Sequence, residues 1–227
     1  MNNRWKLAQF WEIRWWQWYL QKKDKATYLE QKAQYWKRIL DQCELSPRHD
    51  MRVLDAGCGP AGIFMVLQNL QVTAIDPLLE AYEQQLVHFQ RAAYPATQFY
   101  TSTLEAFQAD KAFDVIFCCN VINHVANLSL SLDRLSHWLK PGGTLILTVD
   151  VHNFQALKFL FRKIPGDILH PHQHDLADYT QMLVERKFEL EKVAQLKTGL
   201  IFDYYLIKAT SPFSVRTSPV TISTSNQ

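Results

Sequence analysis

Three glycines spaced as G-x-G-x-x-G, Gly57, Gly59 and Gly62, follow directly on the apolar run Val53-Leu54-Asp55-Ala56, with Cys58 inside the motif. A strand feeding such a turn and then a helix brings bare backbone against a ligand. A second apolar run, Val72 to Ile75, ends in Asp76-Pro77, so that Asp76 lies 19 positions beyond Gly57. A carboxylate at that place can accept hydrogen bonds from two hydroxyls of an adenosine ribose. The pairing predicts a nucleoside-bearing cofactor. On these residues alone a nicotinamide dinucleotide and S-adenosylmethionine are both admissible.

Four histidines are candidates for moving a proton near neutral pH. His124 stands just past the run Phe113 to Cys119, and His170, His172 and His174 alternate within His170-Pro171-His172-Gln173-His174. In an extended segment the three imidazoles would project to one side, a geometry suited to a base or to Zn²⁺. The favoured expectation is a loop over a substrate mouth, with His174 or Asp175 capping the helix that follows and no metal bound. Cys43, Cys58, Cys118 and Cys119 form no C-x-x-C pair and no disulfide framework.

The elements that position these residues follow from the change of texture after Ser46-Pro47. Short apolar runs there alternate with helical stretches, the pattern of a parallel sheet with crossover helices. Strands are predicted at Arg52 to Ala56, Val72 to Ile75, Gln98 to Thr101, Phe113 to Cys119 and Thr144 to Val149. Helices are predicted at Ala61 to Asn69, Leu78 to Arg91, Ser129 to Leu139, Phe154 to Lys163 and Leu176 to Lys187. Apolar runs near Leu190 and Tyr204 are close enough to form an antiparallel edge pair. From Thr210 the chain is Ser, Thr and Pro rich, which predicts a flexible tail. The division is therefore a helical cap over 1–45, an α/β domain over 46–209 and a tail over 210–227.

The cap carries most of the charge asymmetry. The whole chain has a net charge of only +2, yet the first 40 residues hold nine Lys and Arg against three acids. Two helices are predicted, the second capped by Asp24, with Tyr28, Leu29, Tyr35, Trp36, Ile39 and Leu40 inward and Lys32 and Lys37 outward. In the first, Leu7, Trp11, Trp15 and Trp18 make one stripe while Trp5, Phe10, Trp16 and Tyr19 occupy other faces. Six of the seven tryptophans lie in these two helices, so something must cover them: packing onto the sheet and one another, or closure as a lid over an acceptor. An interfacial helix at a membrane surface is a further alternative, since Trp with Lys and Arg suits one. Nucleic acid is disfavoured because no downstream basic stripe continues the patch. Met1 to Leu20 lacks the uninterrupted apolar run of a signal peptide or membrane span, and the chain is expected to be soluble and cytoplasmic.

From about Met51 to Ala209 the sequence resembles the class I S-adenosylmethionine-dependent methyltransferases. The strand with its acid two positions before the glycine turn reads Val53-Leu54-Asp55-Ala56-Gly57-Cys58-Gly59. The fourth-strand motif is echoed by Phe113 to Val125, and the approach to the fifth strand by Leu139-Lys140-Pro141-Gly142-Gly143-Thr144-Leu145. Asp55 would sit where a pyrophosphate is repelled and a cationic sulfonium tolerated. The resemblance implies a doubly wound, mostly parallel seven-stranded Rossmann-like sheet and S-adenosylmethionine as cofactor. It implies that the Gly57 to Gly59 backbone borders the methionine part, Asp76 the ribose, Thr103 and Leu104 the adenine, and Asn120 the amino-acid end. Thr103 departs from the family, where many members place an acid. Asn120 and Asn123 stand where metal-dependent relatives carry carboxylates, which argues against a metal. The expected activity is methylation of a small, aromatic or apolar acceptor. The alternatives are a nicotinamide-dependent oxidoreductase and a degenerate methyltransferase fold serving as a binding module.

Overall fold

A computed structural model describes residues 3–152, 174–199 and 202–213. Seven strands form one sheet: β1 Arg52–Ala56, β2 Gln71–Ile75, β3 Thr97–Tyr100, β4 Phe113–Cys119, β5 Leu139–His152, β6 Glu189–Lys197 and β7 Phe202–Thr210. Their order is β3-β2-β1-β4-β5-β7-β6. The first five are parallel, and β7 pairs antiparallel with both β5 and β6. β7 takes the inner place because Leu206, Ile207 and Ala209 are buried, whereas β6 alternates exposed and half-buried residues and carries charges suited to an edge.

The central strands are buried on both faces, as parallel strands under crossover helices must be. Val53, Val115, Phe117 and Ile146 pack on one side, and Leu54, Ile116, Cys118 and Leu147 on the other. The second side is covered by α4 Leu128–Trp138 and α5 Leu176–Glu185, through Leu132, Leu135, Tyr179 and Leu183. The first is covered by α1 Asn3–Leu20, α2 Lys25–Gln42 and α3 Leu79–Gln85, through Ile13, Leu20, Trp36, Ile39 and Tyr82. The two N-terminal helices thus share a core with the sheet. Asp24 caps α2 by accepting from the Thr27 amide, and Asp175 with Asp178 forms a reciprocal capping box on α5.

Several predicted elements differ. The helix expected over Ala61 to Asn69 is a single 3₁₀ turn, Ile63–Val66, because β2 begins only a few residues later and α2 packs over this stretch in its place. The helix expected over Leu78 to Arg91 stops at Gln85, where the chain extends and delivers Phe89 into a ring cluster with Phe64 and Phe99. Lys32 does not point outward: its Nζ lies 5.9 Å and 5.6 Å from the ring centroids of Tyr28 and Tyr35, and burial lowers its pKa. Order extends past the predicted start of the tail, since Thr210 ends β7 and the buried Ser211 bonds Gly143 and Lys140. The helix predicted at Phe154 to Lys163, and residues 214–227, lie outside the described residues.

Candidate functional site

Strand order reverses between β1 and β4, which opens a crevice at the carboxyl ends of the parallel strands. The glycine turn lies at this point. The Gly57 and Cys58 amides both donate to the Ile75 carbonyl, at 2.8 Å and 3.0 Å, and so lash the turn to the end of β2. Gly59 has φ +58°, in the left-handed region, and a Cβ there would meet nothing within 4 Å. The space above it is open to a ligand. Gly62 is required for a different reason: a Cβ there would overlap the Asp55 carboxylate and approach the Cys58 carbonyl to 2.7 Å.

Two carboxyls flank the turn. Asp55, 3% exposed, accepts from the Phe64 amide at 3.3 Å, and burial pushes its pKa up to about 7 against the opposing pull of backbone bonds. Asp76 is 7% exposed. Its Oδ2 accepts from the Gly59 amide at 3.0 Å and its Oδ1 from the Leu78 amide at 2.8 Å. Burial, then the nearby Glu12, raises it to about 7. Each carboxylate oxygen keeps a further lone pair after one amide bond, so Asp76 can still accept two hydroxyl donors. The Cys58 thiol is buried, which pushes its pKa far up and makes it a packing group rather than a nucleophile.

The remaining candidates sit around this centre. Pro77 follows Asp76 at the same strand end, and Leu104 is buried below the next loop. Thr103 caps a turn, its hydroxyl accepting from the Ala106 amide at 3.2 Å and its carbonyl from the Phe107 amide at 3.0 Å. Asn120 closes β4 with φ +58°, its amide held by the Thr148 carbonyl and hydroxyl. His124 and His174 flank a buried link in which the Tyr179 hydroxyl donates to Asn123 Oδ1 at 2.8 Å. His124 follows Asn123 in the chain, while the His174 ring meets that of Tyr179 edge-on at 5.6 Å and its Nδ1 lies 3.5 Å from Asp178. His170 and His172 lie outside the described residues, and among those described no cluster of His, Cys, Asp or Glu is arranged to hold a metal.

The structure adds groups that spacing did not reveal. Glu12 of α1 stands at an open edge of the crevice and accepts from the Tyr82 hydroxyl at 2.9 Å. Surrounding protein strips enough water to raise its carboxyl. Trp36 of α2 donates its indole N–H to the Ala61 carbonyl at 2.8 Å, tying the cap to the glycine turn. Tyr204 lies 2.5 Å from the Thr148 hydroxyl and 3.2 Å from the Tyr35 hydroxyl, which links β7, β5 and α2. Burial pushes the Tyr35 phenol to about 12 and Tyr204 higher, so both stay neutral donors or acceptors. Tyr204 and Thr148 could have been found only from the register, which pairs Tyr204 with Asp150 and so puts it on the face of Thr148.

A sheet of this order, with the glycine turn after β1 and the carboxylate after β2, is the Rossmann-like architecture of class I methyltransferases. The N-methyltransferase NodS from Bradyrhizobium japonicum WM9, solved with S-adenosyl-l-homocysteine, matches 86% of this chain and 91% of its own with a TM-score of 0.58 at 15% identity. The YcgJ protein from Bacillus subtilis matches 79% of this chain and 98% of its own with a TM-score of 0.63 at 14% identity.

A family model described as a methyltransferase domain matches residues 28–193, and the chain belongs to that family, the class I methyltransferases whose cofactor is S-adenosylmethionine. The ubiquinone biosynthesis O-methyltransferase of Rickettsia prowazekii (strain Madrid E) is 34% identical over 165 residues, 67% of this chain. The chain spans 63% of that relative's length.

Proposed function

We propose that this protein transfers a methyl group from S-adenosylmethionine to a hydroxyl of a small acceptor with an aromatic or apolar body. The observation that carries the cofactor half is the chemistry of the glycine turn. Buried Asp55 lies beneath it, and only a 3₁₀ turn follows it. A dinucleotide pyrophosphate wants a helix N-terminus and no carboxylate, whereas a cationic cofactor is favoured by both features. In this reading Asp76 and Pro77 border the ribose, Thr103 and Leu104 the adenine, and Gly57, Cys58, Gly59 and Asn120 the amino-acid end. Asp55 and Gly62 hold the turn from beneath.

S-adenosylmethionine, when bound, supplies an electrophilic methyl group on a cationic sulfur. The chain's own residues then have to align the acceptor and exclude water. Tyr35, Tyr204 and Thr148 form a polar edge where α2 meets the sheet, suited to orienting a hydroxyl. A base takes its proton, drawn from His124, His170, His172 and His174. Support for oxygen as the acceptor atom comes from the O-methyltransferase names of the relatives.

Calorimetry with S-adenosylhomocysteine and with NAD tests the cofactor, and mass spectrometry of a panel of phenols, catechols and matched amines incubated with S-adenosylmethionine tests the acceptor. Binding of the first cofactor alone and methylation of hydroxylated rings are expected. Transfer confined to amines would overturn the oxygen assignment, and binding of NAD alone would overturn the whole.

A further inference from the structure

The first helix is apolar on two opposite faces, and among the described residues only one of them is covered. Ile13 and Leu20 face inward at 7% and 3% exposure. On the opposite side Trp11, Trp15 and Trp18 are 54%, 48% and 72% exposed, with Phe10 beside them at 55%. Their spacing places the three indoles along one stripe of the helix, and the exposed Lys22 lies in the turn that follows it. Among the described residues, Trp36 is covered and Trp16 in part, whereas the outer three remain exposed.

Single exposed aromatics are ordinary, but a line of three indoles on one helix is not. The charges beside them identify the occupant. Arg14 flanks the stripe and sits 5.9 Å over the Phe10 ring, Lys23 sits 4.3 Å over the Tyr19 ring, and Lys22 is exposed in the turn just past the helix. The one acid of α1, Glu12, is engaged with Tyr82 of the protein's own α3. The outer face is thus indole and cation without a carboxylate. A second copy laid across it would set Arg14 and Lys22 against like charges, while an anionic lipid surface meets both parts of the pattern: indoles at headgroup depth and cations toward phosphate.

We propose that α1 docks this protein onto anionic bilayers through Trp11, Trp15 and Trp18, with Arg14 and Lys22 engaging the headgroups. No described helix is long and apolar enough to cross a membrane. Through Glu12 and Tyr82 the same helix borders the crevice beside Asp76, so one element carries both the outer stripe and an edge of the site. The inference does not depend on which acceptor atom is methylated.

Flotation of the full chain with vesicles tests it, comparing phosphatidylcholine and phosphatidylglycerol in equal parts with phosphatidylcholine alone. The expected result is retention on the anionic vesicles that declines as salt rises. The variant Trp11→Ser, Trp15→Ser, Trp18→Ser should lose at least about tenfold in partitioning, and Arg14→Gln, Lys22→Gln about 30-fold. Arg14 and Lys22 are exposed, so Arg14→Gln, Lys22→Gln should keep the wild-type unfolding midpoint, whereas Trp15 stacks on the Tyr19 ring at 4.9 Å, so the tryptophan variant is compared at a temperature where circular dichroism shows it folded. Failure of the wild type to float would overturn the proposal. So would equal flotation of both variants, or a wild-type dimer that ignores lipid and is dissociated by the Trp substitutions, which would assign the stripe to a second copy.

Discussion

Replacing Asp76 by Asn tests the proposed cofactor site at a residue held by two backbone amides. The carboxylate accepts from two backbone amides, Gly59 at 3.0 Å and Leu78 at 2.8 Å. Asn keeps one acceptor oxygen, and if that oxygen stays on Leu78 its NH₂ opposes the Gly59 N–H. Loss of a hydrogen bond to a charged acceptor is worth about 1.5 to 3 kcal/mol, so affinity for S-adenosylhomocysteine should fall about 10- to 150-fold. The pH dependence carries a second signature. Burial and Glu12 hold Asp76 at about 7 in the free protein, and the protonated form has less acceptor capacity to offer a ribose. Wild-type affinity should therefore weaken by up to about tenfold per unit as pH falls below 7, and the variant should show a flatter profile. Stability moves oppositely. Between the unfolded carboxyl value and about 7, the native state holds protons that the unfolded chain has released, so stability falls as pH rises through that window. Asp55, raised to about 7 as well, adds to the same slope, which the variant should reduce without abolishing. Calorimetry and urea unfolding from about pH 5 to 8 read both effects. An Asn variant that binds like wild type at every pH would refute the ribose assignment. A wild-type profile as flat as the variant's would refute the raised carboxyl.

Gly62→Ala should cost about 1 to 3 kcal/mol in urea unfolding because its methyl group overlaps Asp55, whereas Gly59→Ala should cost only about 1 to 2 kcal/mol for its left-handed backbone yet weaken cofactor binding more. Equal effects on both quantities would show that the space above Gly59 is not the ligand's. Trp36→Phe removes the donor to the Ala61 carbonyl and should lose about 1 to 3 kcal/mol of stability together with cofactor affinity, and unchanged values in both would detach the cap from the turn. Among Asn replacements of His124, His170, His172 and His174, one loop histidine should lower turnover by about 10² to 10⁴, with His124 second and cofactor affinity retained. Wild-type turnover in all four would remove the base, and activity lost to a chelator and restored by Zn²⁺ or Mg²⁺ would overturn the metal-free expectation.

What was legible in the sequence follows from what a local pattern encodes. β1, β2 and β4 were found because parallel strands buried on two faces read as unbroken apolar runs, and the pair β6 and β7 because two apolar runs follow one another closely; the alternation of β6 shows only in the structure. The places of Gly57, Gly59, Gly62 and Asp76 at the ends of β1 and β2 could be read because strand, turn and acid are neighbours in the chain. The helix after the glycine turn was expected wrongly because Ile63 to Leu70 is apolar enough for either state. Nothing local shows that α2 covers that side of the sheet. Glu12 and Tyr82 escaped for a related reason: they meet across 70 residues, and neither belongs to a motif. The most instructive case is α1. Trp15 and Trp16 are adjacent and chemically identical, so no composition or moment separates them, and an apolar residue on every face only says that the helix needs cover. Which face the protein itself covers is decided by α3, where Tyr82 meets the Trp16 ring edge-on at 6.4 Å. Once that contact is made the helix cannot turn, and Trp15, about 100° further round, is left facing out with Trp11 and Trp18. The outer stripe is thus a consequence of the inner packing, and among the described residues nothing buries it, which is the observation the proposed bilayer contact rests on.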